Sequence, residues 1–272
     1  MLLSAVMHYR FLQLALGAGV LTSIVCGIIG VIIVEKKLVM LSGGIAHASY
    51  GGVGLGYLLG FEPILGALGF AAVSAVSIGA LRKRAGSSAE TITAILWSVG
   101  MALGIVFIAL MPGYPPDITS YLFGNILSVK ASDLYMEAAV FVAVLLIVGV
   151  FFNDWKSFLF DDEFAGILGM KTSLMEYVLL IMTALVVVVL IRVVGIVLIL
   201  ALLTAPAATA AMICKKLSGR MIISSVLGII YCCAGLWLSY DFNIPSGATV
   251  IIISALGYIG VYFLKKIKSS KA

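Results

Sequence analysis

The stretch NDWKSFLFDDEFAGILGMK, residues 153–171, is the acidic segment that decides how this chain can fold. It holds four of the twelve acidic residues, namely Asp154, Asp161, Asp162 and Glu163. Long apolar runs flank the segment on both sides, and runs of that length are typical of membrane-spanning helices. The segment is therefore predicted to reach water at a membrane surface, between helices that cross the membrane.

Residues 161–170 within this segment predict a short amphipathic helix. Its first turn carries three acids that suit the positive end of the helix dipole: Asp161, Asp162 and Glu163. Its apolar face is spaced at i, i+3 and i+4: Phe164, Ile167 and Leu168. Such a helix is either an ordinary interfacial loop helix or a surface for a soluble partner. Three acids would be repelled by an anionic lipid leaflet, which favours a protein partner.

Composition identifies the class of protein. The 272 residues are 63% apolar and 11% charged, whereas soluble domains are about 45–50% apolar and about 25% charged. The sequence predicts an all-α, polytopic integral membrane protein with a single transmembrane domain over residues 1–272. The net charge of +5 is interpreted as a signal for membrane orientation and does not indicate nucleic-acid binding. The four cysteines lie in or beside apolar runs without CxxC spacing, so reduced thiols are expected.

Nine apolar runs, each of about 18–24 residues, are long enough to cross a hydrocarbon core of roughly 30 Å. They are Phe11–Val34, Val39–Gly60, Ile64–Leu81, Ile92–Met111, Leu134–Phe152, Leu174–Ile191, Val194–Cys214, Met221–Tyr240 and Gly247–Leu264. Nine spans are predicted, or eight if two short runs are not full spans. Placing most lysines and arginines on the cytoplasmic side puts the N-terminus outside, and the acidic segment and the C-terminus in the cytoplasm.

The largest outer segment, residues 112–133, is rich in proline, which ends the preceding helix. It is interpreted either as an extracytoplasmic docking surface or as an interfacial re-entrant turn.

The second run, LSGGIAHASYGGVGLGYLLG at residues 41–60, holds the main candidate for ion binding. Small residues recur at every fourth position and predict very close helix packing: Gly44, Ala48, Gly52, Gly56 and Gly60. His47 lies beside this ridge, about eight residues or roughly 12 Å into the bilayer. A buried histidine is often only a hydrogen-bonded core residue, but ionisable groups at such depth usually face a cavity, and neutral imidazole binds transition metals.

Other polar residues have ordinary structural explanations as well as functional ones. Glu62 and Asp241 are expected to be solvated at outer ends of spans, and Glu90 suits a helix start. Arg192 either extends from a tight outer turn or lines the pathway, and the turn is favoured. Pro206, between two threonines, predicts either a broken helix that lines a cavity or a packing kink.

Motifs for catalysis or ATP binding are missing from the sequence, so the chain is not expected to be an enzyme. No GxxxxGK[ST], HExxH or GxSxG pattern occurs in its 272 residues. No acid is expected to be buried in the middle of a span, which is the usual mark of proton-coupled carriers. A transporter that has neither an ATP-binding motif nor a proton relay needs energy from a partner protein. The predicted acidic helix is the expected contact for that partner.

Six motifs resemble, in order, the membrane permease subunits of metal-ion ABC importers of the zinc, manganese and iron type. They are IAHASYGGVGLGYLLG at 45–60, ETITAILWSVGMALGIVF at 90–107, YLFGNILSV at 121–129, DDEFAGILGM at 161–170, VGIVLILALLTAPAATA at 194–210 and IPSGATVII at 244–252. The resemblance implies a homodimeric permease in a prokaryotic cytoplasmic membrane, with the ion path between the two copies. It also implies an ATP-hydrolysing subunit docked on Asp161–Met170 as a coupling helix, and an extracytoplasmic metal-binding protein.

The expected cargo is a zinc or manganese ion, with iron as a further option, and His47 is its expected ligand. No resident cofactor is expected. Family members commonly carry an aspartate four positions before the motif histidine, and here that position is Gly43. Because of this departure, the sequence does not determine which metal is transported. A metal chelate, such as a siderophore or corrinoid, is an alternative cargo. A gradient-driven secondary carrier is the alternative from a different class.

Overall fold

The structure, a computed structural model, describes residues 8–85, 89–113, 124 and 126–270. These residues form helices and no β-strand: α1 (Arg10–Glu35), α2 (Val39–Leu59), α3 (Pro63–Ala85), α4 (Ala89–Leu110), α5 (Ala131–Val150), α6 (Phe152–Phe160), α7 (Asp162–Ile167), α8 (Thr172–Val194), α9 (Ile196–Ile213), α10 (Leu217–Phe242) and α11 (Ser246–Ser270). A 3-10 turn covers Ile126–Ser128. The all-α, polytopic class predicted from the sequence is confirmed.

Eight helices in the described part of the chain are long and apolar enough to cross a membrane: α1, α3, α4, α5, α8, α9, α10 and α11. Each matches one predicted apolar run. The remaining predicted run forms α2, whose 21 residues are also enough to cross at about 1.5 Å per residue. It contains several glycines and serines and His47, and it is not among the eight helices named above. The sequence had attributed a count of eight to short runs, whereas α2 is of full length.

The chain divides into two compact units. The first contains α1, the start of α5, the end of α8, and α9 to α11; the second contains α2 to α4, the end of α5, α6, α7 and most of α8. In the first unit, α1 lies so close to α10 that a Cβ on Gly27 would come 2.6 Å from the backbone nitrogen of Ser225. Glycine therefore lets the helix backbones approach there.

Small residues also build the second unit, around α2. A Cβ on Gly100 of α4 would come 2.5 Å from the Cα of Ala48, and a Cβ on Gly52 would overlap the backbone of Gly66 in α3. Gly44 lies against the side-chain methyl group of Thr93 in α4, which a Cβ at that position would overlap. Gly60 differs from its predicted partners, because it caps the end of α2 in a left-handed conformation and faces open space.

The acidic segment contains two helices where the sequence predicted one. Residues before Asp161 form α6, and α7 is shorter than the predicted 161–170. A turn at Leu168 and Gly169, where Gly169 has a φ of 88°, ends α7. Glycine tolerates that left-handed conformation at no steric cost, which accounts for the early end.

Candidate functional site

The side chain of His47 projects from α2 against α4, where it lies flat on Trp97. The ring centroids of His47 and Trp97 are 4.1 Å apart and the ring planes differ by 6°, which is a face-to-face stack. The close packing described above places these rings together: Gly44 and Ala48 flank His47 on α2 and contact Thr93 and Gly100 of α4. The small residues of α2 thus hold the imidazole and the indole in register.

The imidazole of His47 is half-buried, and its Nδ1 atom is fully enclosed. Nδ1 has no hydrogen-bond partner among the described residues. Gly43, one turn earlier, is buried and contributes no side-chain ligand. Among the described residues no group of three or more histidine, cysteine, aspartate or glutamate side chains could hold a metal ion. Within the described part of the chain, His47 therefore belongs to no such cluster, and it is a candidate ligand by itself.

The acidic helix α7 begins at Asp161, which acts as its N-cap. The Asp161 carboxylate accepts a hydrogen bond from the backbone nitrogen of Phe164, at 2.9 Å, and so satisfies one of the free donors of the first turn. Asp162 and Glu163 occupy the first turn, where their negative charge interacts favourably with the positive end of the helix dipole. The order of residues in the sequence thus accounts directly for where this helix starts.

The predicted apolar face of α7 is open. The exposed fractions of Phe164, Ile167 and Leu168 are 56%, 83% and 72%, while Ala165 on the opposite side is only 2% exposed. Ala165 holds the helix to the second unit, and its three large apolar neighbours project away. Phe160, at the end of α6, adds a fourth exposed apolar side chain, at 92%. Phe160 directly precedes the acids in the sequence, but it was not predicted as part of this apolar face.

Lys36, in the connection between α1 and α2, ties α7 to the second unit. Its Nζ lies 3.2 Å from Oδ2 of Asp162 and 3.8 Å above the ring of Phe158 in α6. Partial burial would raise the pKa of Asp162, but the hydrogen bond and charge of Lys36 outweigh it and lower the pKa below its usual value. Asp162 is therefore ionised at neutral pH, and its ion pair with Lys36 is lost as the pH falls through that lowered pKa.

Glu137 corrects the expectation that no acid is buried within a span. Its side chain is fully buried in α5, and the hydroxyl of Thr22 in α1 donates a hydrogen bond to its Oε1. The other carboxyl oxygen, Oε2, is buried without a hydrogen-bond partner among the described residues. Glu137 lies inside the predicted run Leu134–Phe152, so the signal was present in the sequence, but the surrounding apolar residues concealed it.

Arg192 and Asp133 form an ion pair in the first unit. The Nε atom of Arg192, in the last turn of α8, lies 3.1 Å from Oδ1 of Asp133, in the first turn of α5. The backbone nitrogen of Lys130 donates to the other carboxylate oxygen of Asp133. This arrangement agrees with the interpretation of Arg192 as part of a turn between spans, which Gly195 completes with a φ of 80°.

The remaining polar candidates have structural roles. Glu62 and Asp241 are exposed, and Glu90 lies in the first turn of α4. Beside Pro206, the hydroxyls of Thr204 and Thr209 donate to carbonyl oxygens of their own helix, each at 2.7 Å. The helix α9 runs through Pro206 without a break, so the broken helix that was one of the two predictions is not formed. Half of the outer segment at 112–133, interpreted from the sequence as a docking surface or a re-entrant turn, lies outside the described residues, since 114–123 and 125 are not described.

Comparison with known proteins finds relatives of nearly the same length. The ABC 3 transport family matches residues 8–265. The membrane protein slr2045 of Synechocystis is 36% identical, over 93% of this chain and 90% of its own. The manganese transport system membrane protein MntC of Listeria monocytogenes is 33% identical over the same shares of the two chains. The solved structure of PsaBC from Streptococcus pneumoniae, in complex with Fab, has a TM-score of 0.89 and 29% identity, with 99% of this chain and 98% of that chain covered.

Proposed function

Because this chain belongs to the ABC 3 transport family, we propose that it is the membrane permease of an importer that carries a divalent transition-metal ion, manganese first, into the cytoplasm. The observation that carries the proposal is full-length similarity to manganese transport proteins, among them MntC of Listeria monocytogenes at 33% identity. The sequence alone did not distinguish zinc from manganese as the cargo. The relatives that are named for manganese transport favour manganese. The metal is the cargo of this protein and not a resident cofactor.

His47 provides the ion with a brief foothold. Its imidazole is the one histidine, cysteine or carboxylate group that the described part of α2 offers, and Gly43 adds no oxygen ligand. A single imidazole binds a divalent ion weakly. Weak binding suits transport, because an ion held tightly would not be released into the cytoplasm.

The exposed face of α7 is the contact for the ATP-hydrolysing subunit. Phe164, Ile167 and Leu168 would enter an apolar groove of that subunit, and the acids of the first turn would meet basic residues at its rim. The Lys36–Asp162 ion pair and the buried Ala165 connect this helix to the second unit, so that a push on α7 is transmitted. Two copies of the permease, two ATPase subunits and an outer metal-binding protein complete the transporter.

The test is metal accumulation in cells that express the whole transporter with His47 intact or changed to Ala. Zinc, manganese, iron and cobalt are measured by elemental mass spectrometry. His8, the other histidine of the chain and an exposed one, supplies the matched control His8→Ala. We expect His47→Ala to lose manganese uptake with normal assembly, and His8→Ala to keep it. Manganese uptake that is absent in the unmodified transporter would reject the manganese proposal, and uptake unchanged by His47→Ala would reject the foothold.

A further inference from the structure

The stack between His47 and Trp97 replaces a contact that metal-binding histidines normally have. In most such sites the second ring nitrogen donates a hydrogen bond to a carboxylate or carbonyl oxygen, which fixes the plane of the ring. Here Nδ1 is enclosed and has no hydrogen-bond partner among the described residues. Something else must set the plane of this imidazole, and the indole at 4.1 Å lies parallel to it.

We propose that Trp97 is the positioning residue of His47: its indole face fixes the ring plane and directs Nε2, the nitrogen that is not enclosed, toward the ion. This inference rests on the proposed role of His47 in transport. Stacking restrains the ring in one plane without accepting a proton from Nδ1. The bound nitrogen therefore gains orientation without the added basicity that a carboxylate partner would give it. The imidazole is therefore held in a fixed orientation but binds the ion weakly.

The packing of α2 on α4 supports this role for Trp97. Thr93 lies one turn before Trp97 and contacts Gly44, while Gly100 lies about one turn after it and contacts Ala48. These contacts close the distance between the two helices on both sides of the ring pair. The parallel stack at this distance therefore depends on the small residues beside His47, Gly44 and Ala48. Close packing of α2 on α4 thus also determines the geometry of the proposed ion site.

The first experiment measures the rate of manganese uptake by the complete transporter as a function of manganese concentration. Trp97→Phe keeps an aromatic face, and Trp97→Leu keeps apolar bulk but removes the face. We expect Trp97→Leu to raise the half-saturating concentration roughly twofold to tenfold, the worth of an aromatic pair, with the maximal rate per assembled transporter unchanged. We expect Trp97→Phe to stay within about twofold of the unmodified protein by the same argument.

The matched control is Trp237→Leu, because Trp237 is exposed on α10 in the first unit. It should leave both kinetic values unchanged. A structural role for Trp97 without positioning would instead lower the amount of assembled transporter, or the maximal rate, and leave the half-saturating concentration alone. That result, or equal effects of Phe and Leu at position 97, would overturn the proposal.

A second experiment observes the stack directly by fluorescence of the purified transporter in lipid nanodiscs. The signal of Trp97 is obtained as the difference between the unmodified protein and Trp97→Phe. Manganese bound to His47 would lie within a few ångströms of the indole and quench this signal through its unpaired electrons. We expect quenching by Mn²⁺ that His47→Gln removes; quenching that persists in His47→Gln would overturn the proposal.

The two experiments separate failure of this inference from failure of the proposed function. If His47→Ala abolishes uptake while Trp97→Leu transports with unchanged kinetics, Trp97 is not the positioning residue and the role of His47 stands. If His47→Ala transports normally, the foothold is wrong and the role of Trp97 is rejected with it.

Discussion

At the residue scale, Glu137 and Thr22 form a buried polar contact between α5 and α1 in the first unit. A carboxyl group away from water needs hydrogen-bond partners, and Thr22 supplies one to Oε1. Cys26, one turn after Thr22 on α1, is also fully buried. A polar pair inside an apolar helix bundle specifies which faces of α1 and α5 meet, because any other register would leave the carboxyl group unpaired.

Thr22→Val should destabilise the protein, because it keeps the shape of the side chain and removes the hydroxyl that donates to Glu137. Interhelical hydrogen bonds in membranes are worth about 0.6 kcal/mol on average and up to about 1.7 kcal/mol. We expect a loss of free energy of unfolding in that range, measured by thermal or denaturant unfolding of the purified transporter.

The control is Thr183→Val on α8. Thr183 is equally buried, but its hydroxyl donates to the Leu179 carbonyl of its own helix, at 2.8 Å. That carbonyl is also a backbone acceptor within the helix, so removing the hydroxyl leaves no group unpaired. Equal losses in the two variants would show that the Thr22–Glu137 contact has no special weight.

At the element scale, α2 depends on glycine because it packs against α3 and α4 backbone to backbone. Gly52→Ala should disturb this packing, since its Cβ would overlap the carbonyl of Gly66. Overpacking of this kind typically costs about 1–3 kcal/mol. The measurement is the unfolding midpoint together with the amount of assembled transporter.

Gly69→Ala on α3 is the matched control for Gly52→Ala. A Cβ at Gly69 meets nothing within 4 Å, and alanine is favoured over glycine within helices by about 1 kcal/mol. We expect Gly69→Ala to be neutral or slightly stabilising. If both substitutions behaved alike, close packing would not be the reason for glycine at position 52.

The exposed face of α7 leads to a prediction about coupling. Phe164→Asp places a charge in the centre of the proposed ATPase contact, whereas Phe164→Leu keeps it apolar. Loss of a central interface residue commonly costs about 2 kcal/mol, roughly thirtyfold in binding. We expect Phe164→Asp to reduce metal uptake strongly while the permease remains in the membrane, and Phe164→Leu to transport. Normal assembly and uptake in Phe164→Asp would reject α7 as the coupling helix.

The helices themselves could be predicted well from hydropathy, since a run of apolar residues has few alternatives to a membrane helix. The start of α7 was also predictable, because Asp161 is a local capping signal. The pair of His47 and Trp97 was not, because their contact depends on the approach of two helices that are distant in sequence. Glu137 was missed for a related reason: hydropathy averages over a window, and a single acid does not change that average.

At the scale of the whole molecule, the resemblance drawn from six motifs is confirmed by the family match over residues 8–265. What the sequence could not provide is the division of the helices into two compact units, with α5 and α8 each contributing to both. Units of this kind join residues from separate parts of the chain. Local patterns describe each helix, whereas the grouping of helices depends on which faces pack together.

Glu137 gives particular importance to the source of energy. A buried acid within a span is a feature of proton-coupled carriers, while the sequence contains no P-loop with which this chain could bind ATP. The first observation favours a gradient-driven carrier and the second an ATP-driven importer, and transport in proteoliposomes distinguishes the two.

We expect manganese uptake only when the permease is assembled with its ATPase subunit and supplied with the outer metal-binding protein, with ATP on the ATPase side. We expect this uptake to continue when an ionophore removes the proton gradient. The control replaces the ATPase subunit with a variant that cannot hydrolyse ATP, which should stop uptake without changing assembly. Uptake by the permease alone, abolished by the ionophore, would instead make Glu137 the proton-carrying group and the chain a secondary carrier.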